Sequence, residues 1–431
     1  MTKQKDFKVR VRARMNKTGE SYTTARAKLL RASDGGQFPG YPGWGGDDID
    51  VAVTQHALAN MKHQPLGEPL SEAMLFGLSG GIGFAYFTFE YKGSLPTMTV
   101  MMRKNTLPGA LMGPMLERAG VVHHTHQTAS PKKAETQLLA ALETGHAALC
   151  TIGSGALAYT GRAPDAGASA PQQVAVVSID GDRAWLDDRP RLPVEVPLQE
   201  LTRARGVYRK AKHRTIALEG SVPDHPLQTA IVEAIRETTS GFHEAPYANF
   251  AANFGLRGMH SLADALDGTA PKKKRWSQLF GLGAARARGC LRLEECIERD
   301  YTAPSGGRPL YAAFLEQSAA LLGRDELLDI AEGFRRSGKQ WSDLATAALA
   351  SNDTSFIDVQ RTDREYRELL RRSGHRAAPR LAQLRAQYEQ QLATVECPEA
   401  PEHYPQLAQR LRELEALERR LIERLASVAG A

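Results

Sequence analysis

Residues 55–87 read QHALANMKHQPLGEPLSEAMLFGLSGGIGFAYF, and this stretch decides the fold class. Apolar residues at three- and four-residue steps predict two helices, and the aromatic run that begins at Ile82 predicts a strand. The alternation of helical and extended patterns continues along the chain. Further helices are predicted over 107–120 and 132–145, and further strands over 97–103, 146–153, 173–180 and 183–188. This mixture predicts an α+β domain over residues 48–218.

From Pro226 onward the strand patterns nearly vanish, and the helical patterns predict an all-helical domain over 219–358. The segment 359–431 is more charged, and leucines recur in it at steps of three and four residues, as a packed helical seam requires. These are Leu407, Leu411, Leu414, Leu417, Leu421 and Leu425. Apolar residues between Tyr366 and Tyr388 offer this seam an antiparallel partner. We therefore predict a C-terminal helical hairpin or coiled coil, with a possible homodimer through these helices.

The positive charge of the chain is concentrated at its start. The net charge is +6, but residues 1–31 alone carry ten lysines and arginines against two acids, so the other residues sum to −2. Residues 1–31 are predicted to form a basic helical hairpin, and the Gly- and Pro-rich residues 32–47 a linker or an ordered loop. We expect nucleic acid contacts only through this basic arm, because the body of the protein carries no basic excess.

The composition predicts a globular protein of the cytoplasm. Hydrophobic residues make up 42% of the chain and charged residues 24%, and no apolar stretch is long enough to span a membrane. The four cysteines show no paired CxxC spacing, which favours a reducing compartment and argues against a structural zinc site. We expect no cofactor and no membrane partner.

The motif Gly77-Leu78-Ser79-Gly80-Gly81 matches the GxSxG pattern of a nucleophile elbow, in which a serine lies between a strand and a helix. Here the order is reversed, because a helix precedes the motif and a strand follows it. We therefore interpret it as a close-packed turn that lines a cleft, and assign Ser79, Gly80 and Gly81 to substrate binding.

Two clusters of basic side chains allow alternative interpretations. Strand alternation places His124 and His126 on one face, near enough to share a metal, but no carboxylate or cysteine lies nearby in sequence. We therefore predict solvated histidines and no metal site. The run Lys272–Arg275 is most simply a solvated loop, with contact to an anionic partner as the alternative.

The order of motifs resembles a known family. Residues 55–87, together with GDRAWLDDRP (181–190) and VPLQELTRAR (196–205), resemble the N-terminal domain family of butirosin biosynthesis protein H. ANFGLRGMHSLADAL (252–266), GGRPLYAAFLEQSAALL (306–322) and WSDLATAAL (341–349) resemble the uncharacterised domain that usually follows it. Together these stretches cover roughly residues 48–350.

The resemblance implies a papain-like fold, akin to the peptidases that remove bacteriocin leaders. It also implies transfer of an acyl or aminoacyl group from a carrier-protein thioester to an amine. That chemistry uses a cysteine on the first helix, a histidine on a later strand and an acid that orients the histidine. In this chain Thr54 stands near the cysteine position, Gln173 at the histidine position, and Asp187 or Asp188 at the acid position.

Two functions remain open after these replacements. The first is an acyltransferase with an altered site, in which Thr54 or Ser79 is the nucleophile and His56, His63 or His146 supplies the base. The second is a catalytically inactive binding or scaffold protein, with His56 and the 79–81 turn contributing to the ligand site. The expected partners are an acyl-carrier protein or peptide and a small-molecule acceptor.

Overall fold

The computed structural model describes residue 12, residue 38 and residues 41–106, 108–162 and 170–430. Apart from Arg12, the predicted basic hairpin of residues 1–31 lies outside these described residues. Among the helices of the described ranges, none is both long and apolar enough to cross a lipid bilayer.

The described chain has a region of mixed helices and strands followed by a helical region, so the α+β prediction is confirmed. The first region contains α1 (Ile49–Met61), α2 (Glu72–Leu78), β1 (Ile82–Phe89), β2 (Thr97–Arg103), α3 (Pro108–Arg118), β3 (Val121–His126), α4 (Pro131–Glu143), β4 (Ala148–Gly153), β5 (Pro171–Asp180), β6 (Arg183–Asp187), β7 (Val194–Pro197), α5 (Leu198–Val207) and β8 (Thr215–Ser221). The second contains α6 (Leu227–His243), α7 (Gly255–Asp267), α8 (Trp276–Leu279), α9 (Gly283–Glu298), α10 (Arg308–Leu322), α11 (Glu326–Ala348), α12 (Thr354–Ser373), α13 (Ala378–Thr394) and α14 (His403–Gly430).

Six strands form one antiparallel sheet in the order β3-β8-β4-β5-β6-β7, while β1 and β2 form a separate hairpin. Strand β5 is buried along its whole length. Because side chains alternate across a strand, Ala175 and Val177 belong to one hydrophobic core and Val174 and Val176 to another. The sheet is therefore covered on both faces at β5.

Helix α1 lies on one of these faces, against β5. Asp48 caps its first turn, since the carboxylate accepts a hydrogen bond from the backbone N–H of Val51. The helix ends at Lys62, which adopts the left-handed conformation with φ of 65°. Helix α2 begins in the same way, at the N-cap Ser71.

The segment 32–47, predicted as a linker, is packed against the first domain where the structure describes it. Phe38 and Tyr41 are buried members of the core, and the ring of Phe38 lies 6.1 Å from that of Trp185 on β6. Aromatic burial favours the ordered loop over the linker, because each such ring removes a large apolar area from water. These residues form part of the folded domain.

The C-terminal helices also pack differently from the predicted free hairpin. Helices α12 and α13 pair with each other, and Tyr366, Leu370, Leu381 and Leu384 join the second core of the sheet domain. Helix α14 packs instead against α6, α7 and α11. The leucine seam is thus buried within the chain, Leu417 only partly. A homodimer through these C-terminal helices stays a prediction.

Helix α14 also carries a buried carboxylate into the helical domain. Arg308 Nε and Nη2 donate to the two carboxylate oxygens of Glu418 at 2.8 and 2.9 Å, and both side chains are 0% exposed. Ser337 Oγ and Trp341 Nε1 donate to Glu418 Oε1 at 2.6 and 2.8 Å. Burial alone would raise the pKa of Glu418, but Arg308 and these donors hold that pKa below its ordinary value.

Candidate functional site

The start of α1 holds a buried cluster of two acids and one arginine. Arg103, at the end of β2, donates through Nη1 to Asp48 Oδ1 at 2.6 Å and through Nη2 to Asp50 Oδ2 at 2.9 Å. The backbone N–H of Gln173 donates to Asp50 Oδ1 at 2.7 Å, which ties the helix to β5. Burial raises the pKa of Asp48, Arg103 offsets part of the rise, and repulsion by Asp50 adds to it. The cluster fixes the position of α1 on the sheet.

A second buried acid, Asp187 at the end of β6, binds a histidine of α1. His56 Nδ1 lies 2.8 Å from Asp187 Oδ2, and the Asp187 side chain is 0% exposed against 16% for His56. The Tyr41 hydroxyl donates to the same oxygen at 2.8 Å, and the Gly45 N–H donates to Oδ1 at 2.9 Å. Burial raises the pKa of Asp187, and the hydrogen bonds from His56, Gly45 and Tyr41 offset part of that rise.

Thr54 points away from this histidine. Its hydroxyl donates to the Asp50 carbonyl at 2.7 Å and lies 3.8 Å from the sulfur of Met112, and the residue is 0% exposed. Because two residues turn an α-helix by about 200°, Thr54 and His56 lie on opposite faces of α1. Within the described ranges, no histidine hydrogen-bonds the Thr54 hydroxyl.

The glutamines at the predicted base position are buried in the sheet. Gln173 Oε1 accepts from Thr151 Oγ1 at 3.1 Å. Gln172 lies on the other face of β5, where its amide nitrogen donates to Asp188, as does the Tyr159 hydroxyl. Asp187 therefore binds His56, whereas Asp188 is bound by Gln172 and Tyr159 on the opposite face of the sheet.

The turn at residues 77–81 joins α2 to β1, so the predicted order of helix and strand is confirmed. Ser79 Oγ is buried and donates to the Phe76 carbonyl at 2.7 Å. Gly81 has a φ of 62°, and a Cβ there would lie 2.5 Å from the ring of Tyr311 on α10. The turn thus packs closely against the helical domain. No hydrogen bond among the described residues links it to His56 or Asp187, and its part in substrate binding stays a prediction.

The two histidines of β3 do lie together, with ring centroids of His124 and His126 4.4 Å apart. No group of three or more metal-ligating side chains occurs within the part of the chain that the structure describes. The run Lys272–Lys274 forms an exposed single turn.

Tyr41, Gly45, Asp50 and Arg103 belong to the site but were not singled out in the sequence. Their contacts span from 53 to 146 residues along the chain. The one local signal was the density of aromatic residues around Tyr41 and Trp44, which is unusual for a flexible linker.

Glu72 makes the loop before α1 sensitive to pH. Its Oε1 accepts from the N–H groups of Asp47 and Asp48 at 3.2 and 2.7 Å, while burial raises its pKa from 4.5 to about 7. Between these pH values the folded protein binds more protons than the unfolded chain, so the Glu72 contribution to the free energy of unfolding falls as pH rises, by at most about 1.4 kcal/mol per unit.

We expect Glu72→Gln to keep both backbone hydrogen bonds and to remove this fall between about pH 5 and pH 7. Urea denaturation at pH 5, 6 and 7 measures it, with exposed Glu68→Gln as the control. Equal pH slopes for Glu72→Gln and the unsubstituted protein would contradict the assignment.

The fold is α+β, and the Asp187–His56 pair forms a polar site where α1 meets the sheet. Residues 52–189 match the family described as butirosin biosynthesis protein H, N-terminal, and residues 198–372 match a domain of unknown function, DUF4872. The chain thus carries a match to the first domain followed by a match to the second, and the resemblance in sequence is confirmed. The second match begins at α5, so it includes β8, which is the last strand of the sheet in chain order. No curated protein matches the chain.

Proposed function

We propose that this chain transfers an acyl group from a thioester to an amine, with His56 as the general base. The observation that supports it is the hydrogen bond between His56 Nδ1 and the buried carboxylate of Asp187. The membership of residues 52–189 in a biosynthetic family is consistent with such a reaction. In the papain-like fold that the family resemblance implies, the acid at the position of Asp187 also orients a histidine.

The Asp187 carboxylate fixes the tautomer of His56. An ionised carboxylate only accepts hydrogen bonds, so Nδ1 carries the proton and Nε2 of the neutral ring keeps its lone pair. No described residue hydrogen-bonds Nε2. Gly43 lies next to this nitrogen, and a Cβ there would come within 2.8 Å of it. The glycine therefore allows the backbone at residue 43 to approach the proposed base closely.

The reaction needs no nucleophile from the protein. The amine nitrogen attacks the thioester carbonyl carbon, His56 Nε2 accepts a proton from that nitrogen, and the carbon–sulfur bond breaks. The proton then passes from Nε2 to the leaving thiolate, which gives the amide and the free thiol. Thr54 has no part in this sequence, in agreement with its burial on the opposite face of α1.

The test is transfer from an aminoacyl thioester of N-acetylcysteamine to a panel of amines that includes an aminoglycoside. We expect His56→Gln to lower the turnover rate by about 10²–10⁴-fold, the usual contribution of a positioned general base. Thr54→Ala is the matched variant on the same helix and should retain the rate. A His56→Gln protein with full activity, or an acyl adduct on Thr54 in the intact mass, would overturn the proposal.

A second candidate function is binding of a carrier arm, a peptide or a small ligand without turnover. The observation that favours it is the complete burial of Thr54 and Gln173, the residues at the family's nucleophile and base positions. In this case calorimetry should detect binding of the thioester or the amine, while no transfer product forms and His56→Gln changes affinity alone.

A further inference from the structure

A second histidine, His63, lies just beyond the C-terminal end of α1 and contacts a serine. His63 follows the left-handed residue that ends the helix, and its Nδ1 lies 2.7 Å from the Oγ of Ser221, the last residue of β8. Its Nε2 lies 2.7 Å from the carbonyl oxygen of Ala119. Both nitrogens of the ring therefore have a partner.

These partners fix the direction of the hydrogen bonds. A carbonyl oxygen can only accept, so Nε2 of His63 carries the proton and donates to Ala119. In the neutral ring Nδ1 is then an acceptor, and the hydroxyl of Ser221 donates to it. A serine that donates to a histidine, held in turn by an acceptor, is the arrangement that activates a hydroxyl nucleophile.

The surroundings match the needs of this chemistry. His63 is buried, and burial lowers its pKa, with the neighbouring His225 lowering the pKa further and the bond to Ala119 partly offsetting it. The ring is therefore neutral near pH 7. Ser221 is exposed, where β8 pairs with Val121 of β3. The serine therefore lies at the surface while the base stays inside.

We propose that Ser221 and His63 form a second acyl-transfer centre, which reacts with small activated esters and thioesters. Ser221 Oγ bonds to the acyl carbonyl carbon, its proton moves to His63 Nδ1, and the bond to the leaving oxygen or sulfur breaks as that atom takes the proton. Water then attacks the acyl-serine and gives its proton to Nδ1. The ester bond breaks, Ser221 Oγ recovers the proton, and a carboxylic acid leaves.

A fluorophosphonate probe tests the pair directly, because it forms a bond to an activated serine with loss of fluoride. We expect peptide mass spectrometry to find the label on Ser221 and to find none in Ser221→Ala. In His63→Gln the labelling rate should fall by about 10²–10⁴-fold. Ser261, a half-buried serine that donates to the Ala252 carbonyl, is the control, so Ser261→Ala should be labelled normally. Equal labelling of Ser221→Ala, or of folded His63→Gln, would overturn the proposal.

Because His63 is buried, a second variant tests the activation of Ser221 without depending on the folding of His63→Gln. Ser221 is exposed, so Ser221→Cys should fold, and its thiol should react with iodoacetamide at pH 7 at least about 10-fold faster than that of Ser261→Cys. Equal rates would refute the activation. The inference is independent of transfer at His56, because Ser221→Ala should retain amine acylation and His56→Gln should retain Ser221 labelling.

Discussion

The Asp187→Asn variant should lose amine acylation by about 10²–10⁴-fold at pH 7 while remaining folded. Asp187 accepts three hydrogen bonds, from His56, Tyr41 and Gly45. An asparagine at this position has only one acceptor atom, which Gly45 occupies, and its amide would donate to His56 Nδ1. The proton of the ring would then move to Nε2, and the proposed base would have no lone pair for the substrate.

The adjacent acid provides a matched control for this prediction. Asp188 follows Asp187 in the chain but is bound by Gln172 and Tyr159 on the other face of the sheet. We expect Asp188→Asn to keep the transfer rate, with an effect on stability only. Steady-state kinetics on both variants, with circular dichroism to check folding, decides the matter. Similar losses in the two variants would show that Asp187 does not act through His56.

The Glu418→Ala variant should unfold more readily than the unsubstituted protein by about 3–5 kcal/mol. The carboxylate accepts from Arg308, Ser337 and Trp341 in a region where the two charged partners have no exposure to solvent. Its removal leaves the Arg308 charge buried without its counter-ion, and leaves Ser337 and Trp341 without their acceptor. Urea denaturation followed by circular dichroism measures the loss.

Two comparisons make this prediction specific. Glu423→Ala changes an exposed acid of the same helix and should alter the free energy of unfolding by less than about 0.5 kcal/mol. The double variant Arg308→Met/Glu418→Leu removes both charges and should regain much of the lost stability. If Glu418→Ala is no less stable than Glu423→Ala, helix α14 does not depend on this contact.

The order of helices and strands could be predicted from local patterns because each pattern spans only a few residues. Leu70–Leu78 followed by Ile82–Tyr91 predicted a helix and then a strand, and the structure places α2 and β1 there. The two-domain order followed from the family motifs and is confirmed by the family matches. In contrast, the leucine spacing of α14 predicted a seam but could not identify its partner, since any apolar surface satisfies it.

The candidate site was only partly predictable, for a similar reason. Asp187 was chosen by analogy with the family, and its contact with His56 joins residues 131 positions apart. Nothing near His56 in the sequence indicates that its ring contacts a buried acid and not Thr54. Arg103 gave no local signal at all, because its role depends on the burial of Asp48 and Asp50 beside it.

The core that β5 shares with α12 and α13 has a consequence for synthesis of the chain on the ribosome. Val174 and Val176 share a core with Leu381 and Leu384, which are made about 200 residues later. At about 5–20 residues per second, the ribosome needs roughly 10–40 s to reach those leucines. For that time the core that contains Val174 and Val176 lacks Leu381 and Leu384, so the nascent chain offers an apolar surface to chaperones before it can complete its own fold.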